Sequence, residues 1–357
     1  MSYEPARFDF SVPIRVNLSS DTQTKPSTGM KRAMLDAEVG DEQIGSDPTV
    51  WELCDRVASL LGKEAAMFLP TGTMCNQIAL ATHCRPGDEV LAHETAHIQG
   101  SEGGAPGAIA GVMMTGLSGP RGMFTAETLA AAIRHPSRYS PPQRLVAVEQ
   151  TSNRGGGSCW PAAQLSAVAE VAHAHGLATH MDGARVLNAA AALVLPAAKL
   201  CGGFDSVWLD FTKGLGAPLG AVLAGSKSFI GTAWRWKQRM GGALRQGGIC
   251  AAACLYALDH NIDRLAEDHA NATALARGMN ALPGLRVEEE PETNLIFFDT
   301  TETGLTAAEF ATRLRRQGVL VSTGGAAYRG RACLHLDVDR AAVDEALGVM
   351  AEVLRRA

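Results

Sequence analysis

Between residues 64 and 230, short apolar runs alternate with stretches whose apolar positions recur at helical spacing. Segments 64–70, 87–91, 144–149, 177–181 and 205–210 read as strands, with a helix over 74–83 and another starting near Pro161. Strands separated by helical stretches of this length predict βαβ units and a mainly parallel sheet, hence an α/β fold. Over 251–277 the pattern is helical, with Leu255, Leu258, Ile262 and Leu265 recurring on one face. After Pro283 the texture changes to strand 294–298, helix 307–317, strands 319–321 and 333–336, and helix 341–354. That is the α+β pattern of a smaller domain. The expected organisation is an arm over 1–15, a large domain over 16–250 and a small C-terminal domain over 251–357.

The length of 357 residues suits two domains, and a hydrophobic content of 46% supports a large core. A net charge of −5 gives no basic footprint, so no nucleic-acid partner is expected. The longest apolar stretch, 189–195, is too short for a membrane span and stops at Pro196. Residues 1–10 carry Glu4, Arg7 and Asp9 without an apolar core, so no secretory signal is expected. None of the eight cysteines forms a CxxC pair, and they read as free thiols of a reducing cytoplasm.

Candidate chemistry starts at Lys213, which follows an apolar strand and precedes the turn Gly214-Leu215-Gly216. A lysine in a partly dry pocket becomes a nucleophilic amine able to form a Schiff base; the bland alternative is a solvated lysine at a strand end. Upstream, Asp182 ends the run Ala178-Thr179-His180-Met181. In open α/β sheets ligands collect beyond the carboxyl ends of the strands, so the spacing allows Asp182 and Lys213 to face one crevice. Such a pair suits pyridoxal 5'-phosphate, whose aldehyde takes the lysine and whose ring nitrogen needs an acid to stay protonated. Asp182 read alone is equally a helix N-cap. Thr71-Gly72-Thr73, turning from a strand into a helix, offers backbone N–H groups to a phosphate; by itself it is only a turn.

In this order the pieces resemble the L-threonine aldolases, within the β-eliminating-lyase group of fold-type-I pyridoxal-phosphate enzymes. The resemblance covers nearly the whole chain. It is carried by Leu18-Ser19-Ser20-Asp21-Thr22, Glu38-Val39-Gly40-Asp41-Glu42, Gly45-Ser46-Asp47-Pro48-Thr49 and Thr71-Gly72-Thr73-Met74-Cys75-Asn76-Gln77. Asp182-Gly183-Ala184-Arg185, Lys213-Gly214-Leu215-Gly216-Ala217-Pro218 and Arg245-Gln246-Gly247-Gly248 complete it.

The resemblance implies a fold-type-I, aspartate-aminotransferase-like large domain and aldol cleavage of L-threonine, L-allo-threonine or a related L-β-hydroxy-α-amino acid to glycine and an aldehyde. The alternative within the same chemistry is a β-eliminating lyase or an aminotransferase. By resemblance, Lys213, Asp182 and His97 are catalytic, with His97 stacked on the cofactor ring. Thr71, Gly72, Thr73 and Arg185 join them in holding the cofactor. Ser20, Arg185 and Arg331 hold the substrate carboxylate, a task for which the planar fork of arginine is suited. Arg245 stands near the site across a subunit interface, the alternative being a surface salt bridge, and Tyr139 takes the aldehyde side in place of a family histidine, the alternative being a proline-rich surface loop. A cytoplasmic homotetramer with sites at dimer interfaces is implied as well. Departures from the family pattern fall at Tyr139-Ser140-Pro141-Pro142, Ser152, Asp210-Phe211-Thr212 and Arg331-Ala332-Cys333-Leu334-His335.

A rival motif is His93-Glu94-Thr95-Ala96-His97, which has the spacing of a zinc metalloprotease. That motif works on a helix, and here it follows a strand-like run and precedes glycines, so no metal is expected. Gly214-Leu215-Gly216 fails as a dinucleotide fingerprint at Leu219.

Overall fold

The structure, a computed structural model, describes residues 11–356; the first ten residues of the expected arm lie outside them. In chain order the strands are β1 (Val16–Asn17), β2 (Ala65–Leu69), β3 (Glu89–His93), β4 (Met113–Leu117), β5 (Gln143–Glu149), β6 (Ala178–Gly183) and β7 (Ser206–Asp210). They continue with β8 (Ala221–Gly225), β9 (Arg286–Val287), β10 (Leu295–Asp299), β11 (Val319–Leu320), β12 (Ser322–Ala326) and β13 (Arg329–Cys333). The chain divides into two compact units, Thr24–Glu267 and the described residues up to Gln23 together with those from Asp268 onward.

In Thr24–Glu267 a seven-stranded sheet has the order β2-β8-β7-β6-β5-β3-β4. Pairing is parallel from β7 to β4, and β8 runs antiparallel to both its neighbours. Every residue of β3, β7 and β8 is buried. Helices cover both faces of such a sheet, which explains why its strands read as continuous apolar runs. Register sets Glu149 opposite Asp182 and Asp182 opposite Trp208, so three strands end at one level. Helix boundaries follow local chemistry. Asp47 accepts from the Val50 N–H at the start of Pro48–Leu61, and Gly62 closes that helix at φ 67°.

The helical stretch expected over 251–277 is two helices, Gly248–His260 and Leu265–Asn280. The break falls at Asn261, whose buried Nδ2 donates to the Leu215 carbonyl at 2.8 Å. A side chain committed to a tertiary contact outweighs the periodic pattern there.

One buried ion pair ties this unit together. Lys237 is fully buried on the helix Lys227–Arg239 and meets the Glu42 carboxylate. Glu42 also accepts from the Leu244 N–H at 2.8 Å, and the Lys237 ammonium stands 4.2 Å over the Trp234 ring. Burial pushes the Lys237 ammonium down from its usual range, opposed by Glu42. Removing one partner leaves the other buried and uncompensated, which typically costs about 3–5 kcal/mol. Glu42→Gln is therefore expected to lower the urea midpoint strongly; a midpoint equal to that of the parent would contradict this.

The other unit carries an antiparallel sheet of order β12-β13-β10-β9 and a parallel pair of β1 with β11. Its core gathers Leu18, Leu275, Phe298, Phe310, Leu314, Val343 and Met350. The strand expected over 333–336 is instead β13, because pairing with β10 runs from Arg329 opposite Asp299 to Cys333 opposite Leu295. Arg331 consequently lies in mid-strand, opposite Phe297.

Candidate active site

The parallel strands deliver polar residues to one edge of the sheet. Asp182 lies near the end of β6, Lys213 three residues beyond β7, Glu149 at the end of β5, and Thr71 just past β2. His97 opens the short helix that follows β3. This is the edge at which α/β sheets bind ligands.

Lys213 extends over Trp208, its Nζ 5.5 Å from the ring centroid and 2.7 Å from Asp210 Oδ2. Trp208 in turn closes on the helix Gly72–His83: a Cβ on Gly72 would stand 2.1 Å from the indole. Thr71 caps this helix, Oγ1 accepting from the Met74 N–H at 3.2 Å. Bare backbone at Gly72 thus lets a helix N-terminus approach the strand that carries Lys213. Gly72→Ala is expected to cost about 1–3 kcal/mol by overpacking; unchanged melting would show that Trp208 can yield.

Asn76, one turn further along, organises the buried side of the site. The Trp208 indole N–H is a donor only and reaches Asn76 Oδ1 at 2.7 Å, which fixes the orientation of the amide. Its NH2 therefore faces Asp182 Oδ2 at 2.8 Å and Glu102 Oε1 at 2.7 Å. The same logic fixes two histidines. His180 Nε2 donates to Asn76 Oδ1 at 3.1 Å, and its Nδ1 accepts from the Ser206 hydroxyl at 2.8 Å. That hydroxyl oxygen accepts from His83 Nε2 at 2.8 Å. Burial pushes His180 down to about 3 and His83 down to about 4, so both rings are neutral near pH 7.

Asp182 accepts on both oxygens, since Oδ1 also takes the Ala184 N–H at 3.1 Å. Burial, reinforced by Glu149, raises its carboxyl from the usual 3.8 to about 7, against the opposing pull of Lys213 and Asn76. The surroundings therefore hold Asp182 as an acceptor yet leave it short of positive charge.

The His97 backbone N–H donates to Glu149 Oε2 at 2.6 Å, and its Nδ1 donates to Glu102 Oε1 at 2.8 Å. The bond to Glu102 raises the imidazole above its usual range, against the effect of burial. Ligand atoms of His97, Glu102 and Asp182 lie within 4.8 Å of one another, close enough to hold a cation. Their oxygens, however, already take N–H donors from Asn76, from Gln77 at 2.5 Å and from Ala184. The His-Glu-x-x-His run spans a strand end and a helix start. His93, on β3, engages Thr95 Oγ1 at 2.9 Å and the Gly119 carbonyl at 3.0 Å.

Arg185 is buried at the start of the helix Val186–Leu193, its N–H donating to the Gln150 carbonyl at 3.1 Å. Arg245 is exposed and paired with Asp41 at 2.8 Å. Tyr139, for which the aldehyde side and a proline-rich surface loop were the two expectations, lies on the loop. It precedes β5 at the amino edge of the parallel sheet, opposite to Lys213, and is 81% exposed with Arg138 against its ring. The proline-rich loop before the strand cannot reach the strand's far end. In the other unit, Arg331 donates from Nη2 to the Ser19 carbonyl at 3.1 Å and from Nε to Ser322 Oγ at 3.2 Å, while the Ser20 hydroxyl bonds Thr22 Oγ1 at 2.8 Å.

The profile of the family described as beta-eliminating lyase matches residues 17–303. The chain belongs to the beta-eliminating lyase family. Among relatives, a low-specificity L-threonine aldolase of Arabidopsis thaliana is 40% identical over 90% of this chain and 91% of its own. The low specificity L-threonine aldolase of Escherichia coli K12 is 36% identical over 91% and 95%. A solved threonine aldolase of Leishmania major, 21% identical, superposes with a TM-score of 0.80 over 96% of this chain and 99% of that one. The architecture is the fold-type-I one.

Within this lyase-family site, Glu102, Glu149 and Trp208 carry no role legible in the sequence, Asn76 stands there only as part of a family motif, and Asp210 only as a departure from the family pattern. One signal was available: Asn76 and Gln77 are adjacent amides inside an otherwise apolar buried helix, where unpaired polar groups are costly. Glu102 lies in a glycine-rich loop and carried no such signal.

Proposed function

We propose that this chain is a pyridoxal-phosphate enzyme that cleaves L-threonine, L-allo-threonine or a related L-β-hydroxy-α-amino acid to glycine and an aldehyde. The observation that carries the reading is the placement of Asp182, a buried carboxylate short of positive charge, on the same sheet edge as Lys213. The names borne by the relatives support it.

Lys213 Nζ holds the cofactor covalently. The hydroxyls and N–H groups of Thr71, Gly72 and Thr73 take its phosphate at a helix N-terminus, where anions are favoured. When bound, the cofactor supplies an electron sink for the charge left at Cα as Cα–Cβ breaks. Asp182 keeps a proton on the ring nitrogen, and Asn76 keeps Asp182 Oδ2 an acceptor. His97 covers the ring. Glu102 fixes its Nδ1 as a donor, which leaves Nε2 as the atom able to take or return a proton. Arg185 grips the substrate carboxylate and also supports the cofactor. Arg331 and Ser20, in the other unit, are proposed as substrate-carboxylate residues on the family resemblance alone.

The proposed assembly is a homotetramer with sites at dimer interfaces, near which Arg245 stands. Exposed Leu35, Val39, Ile44, Trp51 and Ile249 give this unit an apolar surface that a second copy would cover. Light scattering reporting a fully active monomer would overturn that part. Eight free cysteines, seven of them buried, favour a cytoplasmic setting. Among the described residues no helix is long and apolar enough to cross a membrane.

The same residues could serve β-elimination, the reaction for which the family is described. The loaded enzyme is expected to be yellow, to be bleached by borohydride, and to release glycine from threonine, allo-threonine, phenylserine or 3-hydroxyaspartate. A colourless preparation that takes up no cofactor would overturn the proposal.

A further inference from the structure

The geometry assigns Asp210 as a positioning residue for Lys213, a carboxylate that fixes where the amine waits and neutralises its charge. This inference rests on the cofactor chemistry proposed above.

Asp210 is the last residue of β7 and 6% exposed. Its Oδ1 is clamped by the chain that leads to the lysine, taking the Thr212 N–H at 2.9 Å and the Thr212 hydroxyl at 2.8 Å. With one oxygen held, the other cannot swing away, and Oδ2 stands 2.7 Å from Nζ. The Lys213 side chain is only 18% exposed and its other near neighbour is the Trp208 ring, so water does little to stabilise its charge. The strand end, the threonine turn and the carboxylate thus form a rigid bracket around a side chain that otherwise has four rotatable bonds.

Other titratable groups close to the bracket do not duplicate it. Asp182 feels the charge of Lys213 but is committed to Asn76 and Ala184. Cys75 and Cys254 both feel the charge of Asp210, and burial keeps both thiols protonated. Asp210 is therefore the carboxylate that answers Nζ directly. Asp210 Oδ2, 2.7 Å from Nζ, would hold the free amine in one position and would accept the proton that the ammonium must lose before it can hold the cofactor.

The test compares Asp210→Asn, Asp210→Glu and Thr212→Val with the parent, all loaded with cofactor. Three readouts are needed: the pH midpoint of the visible absorbance change, the rate of borohydride-fixable cofactor capture by stripped protein, and kcat against KM. Asp210→Asn is expected to move the absorbance midpoint down by about one pH unit or more, as loss of an opposite charge within hydrogen-bond distance does. It should slow capture and lower kcat about tenfold with KM little changed. Thr212→Val, which keeps the charge but loosens the clamp, should give a smaller shift of the same sign, and Asp210→Glu should recover part of it. A merely structural Asp210 would lower the melting temperature and leave the midpoint in place, which overturns the inference. If the parent itself shows no visible band, the cofactor reading fails instead, so the two failures are separable.

Discussion

Lys213→Ala is expected to abolish cofactor fixation by borohydride and to abolish turnover. In the proposed function this amine holds the cofactor, and the charge of Lys213 reaches Asp182. Loss of the ammonium also leaves Asp210 buried beside an empty position. Uncompensated buried charge of this kind typically costs about 3 kcal/mol or more, eased here by the two donors of Thr212. The single variant should therefore melt lower than the parent. The double variant Lys213→Ala with Asp210→Asn should recover much of the stability and none of the activity. A borohydride-fixed adduct in Lys213→Ala, located by peptide mapping, would remove Lys213 from its role.

Asp182→Asn is expected to bind cofactor and lose kcat by roughly 10³-fold, about 4 kcal/mol, because a neutral amide cannot stabilise a protonated ring nitrogen as charge develops. The same carboxyl makes stability depend on pH. Folded, it keeps its proton up to about 7, whereas the unfolded chain releases it near 3.8. Between those values the folded state binds more protons than the unfolded state, so this group makes the unliganded protein less stable as pH rises through the window. A bound cationic nitrogen offsets that loss. The gain in melting temperature on loading cofactor should accordingly grow from pH 4 to above 7 in the parent and stay flat in Asp182→Asn. A near-normal kcat, or a gain equally pH-dependent in both proteins, would contradict the role given to Asp182.

Much of the sheet was legible because its strands are buried on both faces. The runs 145–148 and 207–209 announce themselves by unbroken apolar content, and β5, β6 and β7 begin and end within two residues of the expected limits. The C-terminal strands were less legible. Residues of β12 and β13 such as Ser322, Thr323, Gly324 and Gly330 are polar or small, and only pairing with β10 decides where the strand runs. The expected strand over 333–336 followed the apolar Cys333 and Leu334, whereas the ladder had already ended. Lys213, Asp182 and Thr71 could be placed because each follows a recognisable strand. Asn76, Glu102 and Trp208 could not, since their parts depend on contacts between residues as far apart as 132 positions. Tyr139 shows the converse limit: likeness of a segment does not say at which edge of a sheet it lies.

The central claim is that Cα–Cβ of a β-hydroxy amino acid breaks at this site. Its most direct test is product stoichiometry in a single sample: cofactor-loaded enzyme with L-threonine, counting glycine, acetaldehyde, ammonia and 2-oxobutyrate together. The account predicts glycine and acetaldehyde in equal amounts, without ammonia, and their loss in Lys213→Ala. Ammonia accompanied by 2-oxobutyrate, with no glycine formed, would contradict it.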